Sequence, residues 1–122
     1  MELKYASEKL KSQCTSMKEA KKLFGGNDML AKSLMARINA LESAEVIKDI
    51  IVQPQFRFHS LYDKGDKKLK GFYSIDVKTR KEQWRIILRP LDIDKKPYVN
   101  SIDEIADVVE IVEIKEVSKH YE

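Results

Sequence analysis

One cysteine, two histidines, three prolines and four glycines in 122 residues leave several chemistries without their raw materials. Cys14 has no partner for an internal disulfide, and one thiol with two imidazoles is a poor set for zinc. No apolar run approaches the roughly 20 residues of a membrane-spanning helix. The opening Met1-Glu-Leu-Lys-Tyr5 lacks the apolar core of a signal peptide. A reducing, cytoplasmic setting with no membrane contact is the expectation. There is also no glycine-rich phosphate loop, no His-Glu-x-x-His and no Gly-x-Ser-x-Gly. Acid–base chemistry that uses neither metal nor cofactor, or plain binding, is what these absences leave.

What is present is a soluble composition, 43% hydrophobic and 35% charged, sized for one domain over residues 1–122. The net charge of +3 conceals a segregation. Residues 57–89 hold ten Lys/Arg against four Asp/Glu, whereas residues 91–122 hold four against nine. A basic middle beside an acidic end suits a polyanion site, although Lys64, Lys67, Lys68 and Lys70 equally suit a solvated loop.

Leu3-Lys4-Tyr5-Ala6 reads as a short strand or a lead-in. From Ser7, apolar residues at Leu10, Cys14, Met17 and Phe24 recur at helical spacing. Ser16 with Glu19 has capping-box spacing, which predicts a break near residue 15, and Gly25-Gly26 predicts the end. Asn27 or Asp28 caps a second helix with the stripe Leu30, Leu34, Ile38 and Leu41, leaving Lys32, Arg37 and Glu42 off it. Cys14 and the methionines are expected to fill the core of this helical hairpin.

Beyond Pro54 the period changes to two. Phe56–Leu61 predicts a strand with Arg57 and His59 on one face and Phe56 and Phe58 on the other. After a charged turn, Tyr73, Ile75 and Val77 oppose Phe72, Ser74 and Asp76. A second turn precedes a strand in which Trp84, Ile86 and Leu88 oppose Arg85, Ile87 and Arg89, with Pro90 as its end. Residues 92–100 read as a loop, Ser101–Glu104 as a helical turn, and Val108–Ile114 as a central strand. The order is that of an α+β protein with helices on one face of a sheet. The other face then offers Arg57, His59, Ser74, Asp76, Arg85 and Arg89. Arg85 stands amid apolar residues and needs an anion, which Asp76 supplies as an intrasheet ion pair or a substrate phosphate supplies as a functional site. His120 at the chain's end is either a proton carrier or part of a frayed tail.

Phe56-Arg57-Phe58-His59-Ser60-Leu61, Lys64-Gly65-Asp66, Lys70-Gly71-Phe72-Tyr73-Ser74-Ile75-Asp76-Val77 and Trp84-Arg85-Ile86-Ile87 succeed one another in an order that resembles the HigB branch of the RelE/ParE toxins. That family reads roughly R-L-H-x-L-K-G-D-x-K-G-x-W-S-I-D-V, then W/Y-R-[IV]-x-F, and ends on E-x-x-D-Y-H. Leu10, Phe24-Gly25 and Arg37-Ile38-Asn39-Ala40-Leu41 resemble its helical hairpin, so the resemblance covers nearly the whole chain. It implies a RelE-like fold, with an N-terminal helical hairpin packed on one face of a small twisted antiparallel sheet. It also implies a toxin of a type II toxin–antitoxin pair, acting as a ribosome-dependent mRNA endoribonuclease. The partners implied are the ribosome, mRNA and a helix-turn-helix, HigA-like antitoxin.

On this resemblance Lys64 falls on the catalytic lysine, Arg85 on the phosphate-binding arginine, and Arg57 and His59 on positions lining the cleft. Tyr62 and Asp63 are inserted before Lys64, so Lys67, Lys68 and Lys70 compete for its place. The family's Asp-Tyr-His is here Lys119-His120-Tyr121, which removes the acid and exchanges the other two. His120 is the expected proton carrier and Tyr121 its helper or a stacking platform. The expected catalytic set is therefore His120, Tyr121, Arg85 and Lys64. Arg57, His59, Lys70, Phe72 and Arg89 are expected to bind substrate, with Phe72 stacking on a base. Two rivals remain: a ParE-like toxin with a target other than RNA, and a non-catalytic nucleic-acid- or protein-binding module.

Overall fold

Three short polar side chains start the three main helices. Ser7, Ser16 and Asn27 accept the backbone N–H groups of Leu10, Glu19 and Leu30 at 3.1, 3.3 and 3.1 Å. Each satisfies a donor that the first helical turn leaves over. They open α1 (Glu8–Thr15), α2 (Met17–Leu23) and α3 (Asp28–Ser43). The break at Ser16 is the one its capping-box spacing predicts. Gly25 and Gly26 have φ of 62° and 91°, and the Gly26 N–H closes α2 on the Lys21 carbonyl at 2.7 Å. The structure, a computed structural model, describes residues 1–119.

Five strands follow the order β1-β5-β4-β3-β2. They are β1 (Glu2–Tyr5), β2 (His59–Ser60), β3 (Tyr73–Asp76), β4 (Arg85–Leu91) and β5 (Ile111–Ser118). The α+β class is as expected, but the sheet is mixed rather than wholly antiparallel. Leu3-Lys4-Tyr5 is a strand and runs parallel to β5, with Leu3 opposite Val112. The helices carry the chain across one face between β1 and the antiparallel strands, which frees the far edge of β5 for it. Two further one-turn helices, α4 (Lys48–Ile51) and α5 (Ile102–Ile105), fill the connections.

Three boundaries differ from the periodic reading. Residues 54–56 form a 3-10 turn, Arg57 is left-handed (φ 50°, ψ 49°), and only His59 and Ser60 pair as a strand. β4 runs through Pro90 to Leu91, because β3 stops pairing at Leu88 and leaves one edge where a missing N–H breaks no ladder. The last strand begins three residues later than expected and continues to Ser118, since Val108 and Val109 close the turn after α5 through their N–H groups on Ile105.

The helices bury one face of the sheet. Leu10, Cys14, Ala31, Leu34, Ile38 and Leu41 pack with Tyr73, Ile75, Ile86, Leu88, Val112 and Ile114 in one cluster. Trp84 meets Phe24 edge-on at 4.9 Å, and Phe58 stacks on Tyr73 at 4.9 Å, both on this side. No helix among the described residues is long and apolar enough to cross a membrane.

Candidate functional site on the face opposite the helices

Alternation sends every second residue of the sheet away from the helices. One cross-strand row on that side reads His59, Ser74, Ile87, Glu116; the next reads Asp76, Arg85, Ser118. Leu61 and Leu69, from the loop between β2 and β3, fold over Ile87 and Phe72 as a second small cluster. The sheet is thus apolar at this point and strongly polar on either side of it.

Asp76 organises the polar part. Only 1% exposed, it receives the Arg85 Nε at 3.2 Å on Oδ1, while the Arg57 Nε lies 3.2 and 3.1 Å from its two oxygens. Arg85 is 2% exposed and also donates to the carbonyls of Trp84 at 2.9 Å, Arg80 at 3.2 Å and Glu82. The ion pair open to Arg85 from sequence is present, and its fork is held among backbone oxygens. Arg57 is the outer arginine, with its side chain one-third exposed.

The same segment positions His59. Arg37 on α3 donates from Nε to the Asp76 carbonyl at 2.9 Å and from Nη2 to Lys78 at 2.9 Å and Gln55 at 3.4 Å. Its guanidinium also covers the Phe56 ring at 4.7 Å. These contacts tie both sides of the left-handed turn to the helix layer. The Arg57 carbonyl then sits 2.8 Å from the His59 Nδ1. A carbonyl only accepts, so Nδ1 carries the hydrogen and the neutral ring keeps its lone pair at Nε2. A half-buried imidazole with a fixed tautomer can take a proton at a defined atom.

A second cationic group lies across the Ile87 row. The ring of Phe72 carries two cations, with the Arg89 guanidinium 4.8 Å and the Lys115 ammonium 5.1 Å from the ring centroid. Phe72 is 9% exposed, so it supports these cations more than it offers an open face. Arg89 is braced by Glu113 at 2.6 Å.

The loop that carries the lysines is built by one carboxylate. Asp63 accepts the N–H groups of Leu69 and Lys70 at 2.8 and 2.9 Å, and these bonds hold it below the ordinary carboxylate range. Beyond it, Lys64 and Lys67 pair their backbones around Gly65, whose φ is 58°. Lys64, Lys67, Lys68 and Lys70 are all exposed. Lys70 lines a groove of about 680 Å³ with Leu61, Tyr62, Phe72, Tyr98 and Asn100, whereas Lys64 stands at the hairpin tip.

The structure therefore brings Arg57, His59 and Arg85 into one network through Asp76, and Phe72 and Arg89 into a neighbouring one. His120 and Tyr121 lie outside the described residues. Lys115 and Arg37 escaped the sequence reading. A β-bulge opposite Ile87 and Leu88 gives Lys115 its place beside Phe72, and bulges leave little trace in hydropathy. Arg37 sits off the α3 stripe, where a solvated charge is the ordinary expectation. Among the described residues, no group of three or more His, Cys, Asp and Glu is arranged to hold a metal ion. No family model and no curated protein matches this chain.

Proposed function

We propose that the chain is a HigB-like toxin of a type II toxin–antitoxin pair, a metal-independent endoribonuclease that cuts mRNA on the ribosome. The observation that carries this reading is the pairing of a tautomer-fixed His59 with the outer arginine Arg57, held on the same buried carboxylate as Arg85. The RelE-like arrangement belongs to the proposal as well. A helix layer on one face and a cationic, imidazole-bearing opposite face is what such a toxin needs. The charge segregation of residues 57–89 supports the choice of a polyanion.

In the proposed reaction the RNA supplies its own nucleophile. The 2′-oxygen bonds to phosphorus while the bond from phosphorus to the 5′-oxygen breaks. The products are a 2′,3′-cyclic phosphate and a free 5′-hydroxyl. One proton leaves the 2′-oxygen and one arrives at the departing 5′-oxygen. His59 Nε2 is the atom positioned to accept the first. His120, which the sequence marks as a proton carrier with Tyr121 as helper, is proposed for the second. Arg57, Arg89 and Lys115 supply positive charge for the pentacoordinate phosphorus, with Arg85 acting from beneath. A lysine of the 64–70 loop adds to it, and Tyr62, 79% exposed, is the most open ring near the groove for an unpaired base. The cognate partner in this reading is a helix-turn-helix, HigA-like antitoxin.

So sparse a catalytic set depends on the ribosome to align the three reacting atoms. Expression of the chain alone is expected to arrest growth and to create new mRNA ends within ribosome-bound codons, while naked RNA is cut poorly. Growth arrest without new ends points to a ParE-like target. Efficient cleavage of naked RNA contradicts the ribosome-dependent reading outright.

A further inference from the structure

The groove of about 680 Å³ lies at the end of the sheet beside β2, and both of its walls are braced. One wall is residues 60–63 with Lys70. β2 is an edge strand, and it bonds to β3 through His59 and Leu61, whose N–H donates to the Phe72 carbonyl at 3.0 Å. Alternation therefore points the N–H and carbonyl of Ser60 out from the edge. The Asp63 carboxylate, taken up by the N–H groups of Leu69 and Lys70, holds Lys70 beside Tyr62.

The other wall is residues 98–101. Pro97 bridges to Leu91 before it, and Ile102 packs against the core after it. Glu104 accepts the Ser101 hydroxyl at 3.2 Å and the Asn100 amide at 3.3 Å. That leaves Asn100 a second N–H and its carbonyl, a donor and an acceptor on one planar group. Phe72 and Tyr73 line the groove between the walls and are 9% and 8% exposed.

Against this frame two large apolar side chains stand open, one on each wall. Tyr62 is 79% exposed and Val99 100%. The edge of β2 is only two residues long, too short to seat a peptide strand. An open ring, an ammonium on one wall and an amide on the other instead complement a flat heterocycle that carries an anion. The sign of the charge agrees, since residues 62–70 hold four lysines against two aspartates. We infer that the groove is a subsite for one unpaired RNA nucleotide, with its base on the Tyr62 ring, the base edge against Asn100 and the phosphate on Lys70. The inference rests on the endoribonuclease reading and deepens it. Phe72 lies both in this groove and against the Arg89 and Lys115 cations, so a strand held by those cations reaches the groove with a neighbouring nucleotide.

The test is titration of the purified chain with single-stranded RNA trinucleotides, followed by heteronuclear NMR, beside mRNA cleavage on ribosomes. The backbone amides of Tyr62 and Lys70 and the side-chain amide of Asn100 should shift together. Tyr62→Ala should weaken binding about tenfold, within the range for one stacked base, and Tyr62→Phe should keep it. Lys70→Gln should lower the slope of log affinity on log salt by about 0.7, the share of one single-strand phosphate. Differences among trinucleotides varied at one base should collapse in Asn100→Ala. Wild-type affinity in Tyr62→Ala overturns the inference. Equal losses in Lys70→Gln and in Lys32→Gln, a charge on the helix side, also overturn it. So do groove shifts that an extended Glu-Val peptide produces and RNA does not. Cleavage on ribosomes by a protein whose groove resonances ignore RNA overturns the inference and leaves the parent reading standing. Groove binding without cleavage removes the parent reading and leaves the RNA subsite.

Discussion

Ser74 has a fully buried hydroxyl whose oxygen finds no hydrogen-bond partner among the described residues, between His59 and Ile87 in the cross-strand row. Leaving such a group unsatisfied costs roughly 1–3 kcal/mol. Ser74→Ala is therefore expected to raise the melting temperature, and a lower one would show that the hydroxyl is satisfied in solution. Asp63 gives the opposite case. Two backbone donors depress its pKa, so its contribution to the loop is present above the unfolded value of about 3.9 and is lost as the pH falls through the folded value. The amide resonances of Leu69 and Lys70 should titrate together below that unfolded value. In Asp63→Asn the shared titration should vanish. Cys14, 1% exposed, has its thiol pushed up to about 12 by burial, and should resist alkylation near neutral pH until the protein unfolds. At this scale much was legible: the opposite faces of Phe72–Val77, the need of Arg85 for an anion, and Asp76 as one of the two anions open to it. The sharing of Asp76 with Arg57 was not, because it depends on a left-handed turn that no periodicity encodes.

The three main helices were the most legible elements, since the start of each rests on a local side-chain bond. Asn27→Ala removes the α3 cap and should cost about 1 kcal/mol, read as a shift in the denaturation midpoint with unchanged slope. A cap worth nothing there would mean that tertiary packing alone fixes the start of α3. The strands were harder. Phe56–Leu61 alternates like a strand, yet Pro54 begins a 3-10 turn and Arg37 draws the Gln55 carbonyl toward α3. A contact from a helix nearly twenty residues earlier overrode a local pattern. Pro90 misled in the other direction, because its tolerance depends on where β3 ends. β5 outlasted its apolar run because, past the bulge at Lys115, Glu116, Val117 and Ser118 resume pairing with Ile87, Ile86 and Arg85.

For the molecule as a whole, class and layering were in the sequence, and the mixed sheet was not. A four-residue strand beside a distant β5 carries no signal that separates parallel from antiparallel pairing. The layering matters for function because helices cover one face and leave His59, Arg57, Arg89 and Lys115 on the other. If the proposed RNA target is right, binding should weaken steeply with salt, while thermal stability, resting on an apolar core, should change little. We propose that the RNA's own 2′-oxygen does the cutting at this face. The most direct measurement uses ribosomes programmed with an mRNA in which single nucleotides of the codon being read are 2′-deoxy. The account predicts cleavage of the all-ribo message, leaving a 2′,3′-cyclic phosphate, and no cut 3′ to the deoxy position. Undiminished cleavage at the deoxy-substituted bond would contradict it.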